Sequence, residues 1–248
     1  MNIYKRPDLY DAIHKDYRWD NKLVKHFANK AGGPVLELAS GTGRLAKIIL
    51  ELGLTYTGLD TSKEYIRTSK KRYGSRGTFY VQNMQSFHLK TQFNFIFVGF
   101  NSFLHNLTNE HAINCLKCVS DHLTDNGLFL LSAYIPDPSF LFRKHNKLFP
   151  ATDYFTFENH QCRIMESNSY NKETEINRLT WFLEKNGKLQ PEKYSFKMRM
   201  FNPHTMDLLF ENSGLTIKEK LGDYDGSAMN QNSDMQIYIC KKQTQQHL

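Results

Sequence analysis

Apolar residues in the first half of the chain alternate between two patterns. Short runs rich in apolar and β-branched residues, at Val35–Ala39, Tyr56–Asp60, Thr78–Gln82, Phe93–Phe100 and Leu128–Tyr134, have the length of strands. Between them the apolar positions recur every three or four residues. Gly43–Glu51 places Leu45, Ile48 and Ile49 on one helical face, Lys63–Tyr73 predicts a second helix, and Glu110–Leu123 a third with Ile113, Leu116, Val119 and Leu123 in phase. Phe93–Phe100 is apolar at nearly every position, as a parallel strand covered on both faces should be. Asp125-Asn126-Gly127 supplies a turn before Leu128. Ahead of all this, Leu9–Ala28 predicts one amphipathic helix. The strand–helix order implies an open parallel sheet with right-handed crossovers.

After about Ile135 the period drops to two. Tyr154, Phe155 and Phe157 form one such run, Ile176, Leu179, Trp181 and Leu183 a second, and Tyr194, Phe196, Met198 and Met200 a third. Asn186-Gly187 between the last two predicts a hairpin turn. Pro203 then opens a helix through Phe210 with Asn202 as its cap, and Leu215–Lys220 and Gln236–Lys241 are two further strands. The expected class is α/β: a doubly wound, mostly parallel seven-stranded sheet with a small inserted antiparallel β-sheet. Residues 1–30 read as an N-terminal helical cap, 31–150 and 201–242 as the parallel-sheet domain, and 151–200 as an insert that covers a bound molecule or contacts a second subunit.

Composition narrows the picture further. A chain of 248 residues buries a full core without disulfides or metals. No run approaches the roughly 20 apolar residues of a membrane span, and no apolar segment follows the basic N-terminus, so a cytoplasmic location is expected. Charge is 32 minus 25, or +7, and is spread along the chain. That balance favours an anionic partner, whether nucleic acid, an acidic membrane or a phosphorylated small molecule, without choosing among them; no arginine-rich block or recognition helix is present. Lys70-Lys71-Arg72 falls on the polar side of its helix. Cys115 and Cys118 form a lone CxxC on a helical face, which reads as two core thiols; no metal is expected.

The chemistry concentrates in Val35-Leu36-Glu37-Leu38-Ala39-Ser40-Gly41-Thr42-Gly43-Arg44-Leu45. A strand runs into a turn of small residues and a helix follows at once. The glycines open backbone conformations closed to other residues and let a ligand approach the main chain. Asp60, ending the next strand, is placed to accept from two ribose hydroxyls. Gly41-Thr42-Gly43-Arg44-Leu45-Ala46 also satisfies the G-x-G-x-x-A of dinucleotide sites, so an NAD(P)-dependent oxidoreductase is the competing reading. Glu37 opposes it, because an acid four residues before the first glycine repels a pyrophosphate and suits a cofactor carrying an ammonium and a sulfonium. A degenerate fold without cofactor is the third reading.

These motifs resemble those of the class I, Rossmann-like S-adenosylmethionine-dependent methyltransferases. The turn at 35–45 is similar to their first motif, Gly58-Leu59-Asp60-Thr61-Ser62 to the second and Phe79-Tyr80-Val81-Gln82-Asn83-Met84 to the third. Phe93–Ser102 resembles the fourth and Leu123–Leu128 the loop before strand five. Leu9-Tyr10-Asp11, Lys15-Asp16-Tyr17, Phe201-Asn202-Pro203-His204 and Leu221-Gly222-Asp223-Tyr224-Asp225 are similar to segments of the small-molecule N-methyltransferases that act on nucleotide-linked amino sugars.

The resemblance assigns Glu37, Ala39, Ser40, Gly41 and Gly43 to the methionine part of S-adenosylmethionine, and Asp60 with Thr61 to the ribose. Asn83 and Met84 would meet adenine, with Asn83 standing where the family usually has Asp. Gly99 and Phe100 would lie beside the cofactor, and Tyr10 and Tyr17 would pack over it. It implies S-adenosylhomocysteine as product, a small-molecule methyl acceptor, an amine nitrogen as the methylated atom, and a monomer or homodimer; RNA or protein is the alternative acceptor. Displacement at a sulfonium methyl needs a base only for an acceptor that arrives protonated. His105, just after strand four, has the ordinary pKa suited to that task and equally reads as a surface histidine. Tyr10 is a second catalytic candidate through its ring face, and His145 and Tyr134 follow.

Overall fold

The computed structural model describes residues 2–144 and 147–243. Along the chain run α1 (Pro7–Ile13), α2 (Asn21–Ala31), β1 (Val35–Leu38), α3 (Ala46–Glu51), β2 (Tyr56–Asp60), α4 (Lys63–Tyr73), β3 (Thr78–Val81), β4 (Phe93–Val98), α5 (Asn109–His122) and β5 (Leu123–Tyr134). There follow α6 (Pro138–Leu141), β6 (Phe149–Pro150), β7 (Phe155–Phe157), β8 (His160–Asn171), β9 (Ile176–Lys185), β10 (Lys188–Arg199), α7 (Pro203–Glu211), β11 (Leu215–Leu221) and β12 (Met235–Lys242). The chain divides into two compact units, Met1–Arg18 with Pro136–Met200, and Trp19–Ile135 with Phe201–Leu248.

The second of these units is built on a seven-stranded sheet in the order β11-β12-β5-β4-β1-β2-β3. β1 to β5 pair in parallel, and β12 runs antiparallel between β5 and β11. The expected mostly parallel, doubly wound seven-stranded arrangement is therefore present. β1 and most of β4 are buried because both faces are covered. On one face Leu23, Val24 and Phe27 of α2, Ile49 of α3 and Ile66 of α4 pack with Phe95, Phe97 and Leu130. α7 caps as expected, the Asn202 side chain accepting from the Thr205 amide at 2.9 Å.

The other unit carries the antiparallel sheet, ordered β10-β9-β8-β6 with β7 also on β8. Its hairpin turns at Asn186 and Gly187, with φ of 48° and 75°, as a two-residue loop between twisted strands requires. Ile3 and Leu9 from the N-terminal segment share its core with Phe157, Ile164, Leu183 and Tyr194.

Three local expectations are corrected. The single helix over Leu9–Ala28 is two helices: the His14 amide and ring Nδ1 both turn onto the Tyr10 carbonyl, closing α1, and α2 restarts from Asp20. Lys15-Asp16-Tyr17-Arg18 offers no aliphatic stripe to carry a helix across. The helix expected from Gly43 begins at Ala46, since Gly41–Leu45 stay in turn conformation. The turn at 125–127 lies within β5, where the register jumps from Phe93–Leu123 to Phe95–Leu128 and Thr124 Oγ1 donates to Asn94 Oδ1 at 3.0 Å.

Candidate functional site

The exit of β1 is held in an unusual backbone. Ala39, Gly41 and Gly43 have φ of 52°, 57° and 82°, alternating with ordinary residues. Such alternation curls successive amides toward one side and makes a concave, ligand-sized turn. From behind, α4 ties down its carbonyls: Ser69 Oγ donates to Gly41 O at 3.0 Å, Arg72 to Thr42 O at 3.1 Å and Tyr73 OH to Gly43 O at 2.5 Å. A β-carbon on Gly43 would stand 2.7 Å from the Tyr73 ring, so this glycine is required by contact as well as by φ. Ser40, buried, closes the turn by accepting the Gly43 amide at 2.9 Å.

Two carboxylates flank the turn. Asp60 ends β2, its Oδ2 accepting the Gly41 amide at 2.9 Å and Oδ1 the Ser62 amide at 2.8 Å. Burial raises the Asp60 pKa from its ordinary value, and backbone hydrogen bonds from Ser62, Gly41 and Thr61 offset only part of that shift. A carboxylate has about four lone-pair sites, so capacity for a further donor remains after these bonds. Glu37, in β1, is 6% exposed and accepts from the Tyr56 hydroxyl at 2.5 Å. Burial drives its pKa up to about 8, against the lowering effects of Tyr56 and Arg44. A buried acid facing the ligand crevice is stabilised as a carboxylate by an incoming cation, which fits the ammonium-bearing group that the resemblance implies.

The neighbouring strands supply the remaining residues. Asn83 is exposed after β3 and its Oδ1 accepts the Gln85 amide at 3.0 Å, holding a turn that presents half-buried Met84. Thr61 is exposed beside Asp60. Gly99 follows β4, and the next two residues, Phe100 and Asn101, both have positive φ, 54° and 62°. Left-handed backbone at two non-glycine residues costs about 1 kcal/mol or more each and is found where function fixes geometry. The Asn101 side chain secures it by accepting the Tyr134 amide at 2.8 Å. His105 is half-buried in a short helical turn over Ser102–His105. The ends of β1, β2, β3 and β4 thus bring Glu37, Ala39, Ser40, Gly41, Gly43, Asp60, Thr61, Asn83, Met84, Gly99, Phe100 and His105 to one edge of the sheet. The order reverses between β1 and β4, where open α/β sheets bind ligands. Tyr10 and Tyr17 belong to the other unit, where the Tyr10 ring lies 4.2 Å from that of His14. His145 lies outside the described residues.

Sequence reading missed three residues here. Asp20, 1% exposed, is joined to Arg44 by contacts of 2.8 and 2.5 Å, and the Arg44 guanidinium stands 5.7 Å from the Phe100 ring centre. A β-carbon on Gly99 would be 4.0 Å from Asp20 Oδ2, which sets this pair at the β4 side of the crevice. The third is Tyr56, whose phenol reaches Glu37. In each case the signal is a contact between distant segments, which local periodicity does not carry.

Residues 35–127 match the family model of a methyltransferase domain. No curated protein matches at a significant level. Among solved structures, the CcbJ methyltransferase from Streptomyces caelestis superposes with a TM-score of 0.81 at 17% identity, over 98% of this chain and 99% of that one. An S-adenosylmethionine-dependent methyltransferase from Clostridium acetobutylicum gives 0.77 at 16% identity, over 95% and 97% of the two chains. The sugar N-methyltransferase KedS8 from Streptoalloteichus gives 0.75 at 12% identity, over 95% and 92%. Residues 35–127 thus match a methyltransferase-domain model, in a chain that has the fold of solved S-adenosylmethionine-dependent methyltransferases.

Proposed function

We propose that the protein is an S-adenosylmethionine-dependent transferase that methylates an amine nitrogen of a small, anionic acceptor. The observation that carries the cofactor half is the arrangement at the exit of β1: a buried acid, Glu37, beside a turn whose glycine amide is bound by Asp60. Glu37 offers a diphosphate no favourable contact but gives an amino acid ammonium an acceptor, while Asp60 suits a ribose diol, as it would in a dinucleotide site too. The acceptor half is supported by likeness to a sugar N-methyltransferase and by the +7 charge.

When bound, S-adenosylmethionine supplies an electrophilic methyl carbon on a positively charged leaving group. The work left to the chain is to orient donor and acceptor and to keep water out. Asp60 fixes the sugar, Glu37 the ammonium, and the Phe100–Asn101 backbone the crevice wall. His105 takes a proton only from an acceptor that arrives as an ammonium ion. Tyr10 and Tyr17 are assigned to the cofactor by the resemblance of their segment alone. The same reading has the protein acting in the cytoplasm as a monomer or homodimer; no helix among the described residues is long and apolar enough to cross a membrane.

Transfer from labelled cofactor to a panel of nucleotide-linked amino sugars, with their hydroxyl counterparts and tRNA alongside, tests the acceptor. Label entering the amines alone is the expected result. Incorporation into the hydroxyl sugars or into tRNA would replace this acceptor class.

A further inference from the structure

Tyr56 opens β2 with its ring buried 5.6 Å from Phe79. In the β1–β2 register Tyr56 lies beside Val35, and Gly58 beside Glu37. Residues two apart share a face, so the Tyr56 ring must run over Gly58 to reach the Glu37 carboxyl, as it does at 2.5 Å. Only glycine leaves that path open. A β-carbon at position 58 would sit 2.9 Å from the Tyr56 hydroxyl and 2.7 Å from Ser40 Oγ. A buried phenol and a buried carboxyl each need a partner, and here each is the other's.

We infer that Tyr56 is a positioning residue for the cofactor, its hydroxyl holding Glu37 Oε2 through the gap at Gly58 so that Oε1 faces the amino acid ammonium. The role rests on the cofactor reading above. Tyr56 also keeps Glu37 ionisable at working pH, because a donated hydrogen bond favours the carboxylate against burial. The other charged or titratable groups acting on the pair are Arg44 after β1, Asp20 at the head of α2, Asp60 at the end of β2 and Tyr73 on α4. Arg44 favours the carboxylate, while Asp20 and Asp60 oppose it.

The test is calorimetric titration with S-adenosylhomocysteine from about pH 6 to 9 in buffers of different ionisation enthalpy, on the wild type and on Tyr56→Phe and Gly58→Ala. The wild type is expected to bind more tightly as pH rises to about 8, with close to one proton released per ligand at pH 7. In Tyr56→Phe the rise moves about one pH unit higher and affinity at pH 7.5 falls about tenfold. Gly58→Ala, which retains the phenol but blocks its path, gives the same signature. No binding by the wild type at any pH would sink the cofactor reading. Wild-type binding without proton release, or a Tyr56→Phe protein with unchanged affinity and pH profile and only a lower melting temperature, would overturn the positioning role.

Discussion

Asp60 and Gly41 are bonded directly, the carboxylate at the end of β2 accepting the amide of the first turn glycine at 2.9 Å. One side chain therefore both shapes the turn and faces the crevice. Asp60→Ala removes a turn brace and the ribose acceptor together. It should weaken S-adenosylhomocysteine binding at least about 100-fold and lower stability by about 1–2 kcal/mol. Asp60→Asn, which keeps one acceptor, should fall between. Calorimetry and thermal melts read the two effects separately.

Glu37 gives a prediction in pH. Its folded pKa of about 8 lies above the ordinary 4.5, so the folded state holds a proton that the unfolded state releases between those values. Its contribution to stability is fully present below about pH 4.5 and declines as pH rises through about 8. Glu37→Gln cannot ionise. The variant should melt above the wild type at pH 8, by on the order of 3 kcal/mol, and match it near pH 4.5. Cofactor binding should be lost in the same variant, so stability and function move in opposite directions.

Gly43 is constrained twice, by φ of 82° and by the Tyr73 ring 2.7 Å from a would-be β-carbon. Gly43→Ala should cost about 2–4 kcal/mol and reduce cofactor affinity by displacing the turn. Pairing it with Tyr73→Leu relieves the collision but not the backbone strain, so a double-mutant cycle should show partial recovery in melting temperature.

Much of this was legible in the chain because the parallel strands are covered on both faces: Phe93–Val98 cannot be read as anything but a buried run. The hairpin at Asn186-Gly187 was equally plain. β8 was not, because its inward face carries Glu166 and Asn168 among Cys162 and Ile164, and polar residues on a buried face erase the alternation. Arg143 and Trp181, distant in sequence, make that burial tolerable by bonding Glu166. Asp20–Arg44 and Tyr56–Glu37 were hidden for the same reason. The glycine turn and Asp60 could be found since their roles depend on backbone conformation and strand position, which sequence records locally.

The Arg143–Glu166 pair offers a test confined to the antiparallel-sheet unit. Both side chains are largely buried, 13% and 8% exposed, and Trp181 Nε1 donates to the second Glu166 oxygen at 2.7 Å. Arg143→Met leaves a buried carboxylate with one donor and should cost about 3–5 kcal/mol. Adding Glu166→Gln should restore most of it. Chemical denaturation of the two variants checks both statements.

The central claim is that a sulfonium nucleoside, not a dinucleotide, occupies the crevice at the exit of β1. Competitive calorimetry of the wild type and Asp60→Ala with S-adenosylhomocysteine and NAD decides it. Saturable binding of S-adenosylhomocysteine, undisturbed by NAD and abolished by the substitution, is the predicted result; saturable NAD binding with no response to S-adenosylhomocysteine would contradict it.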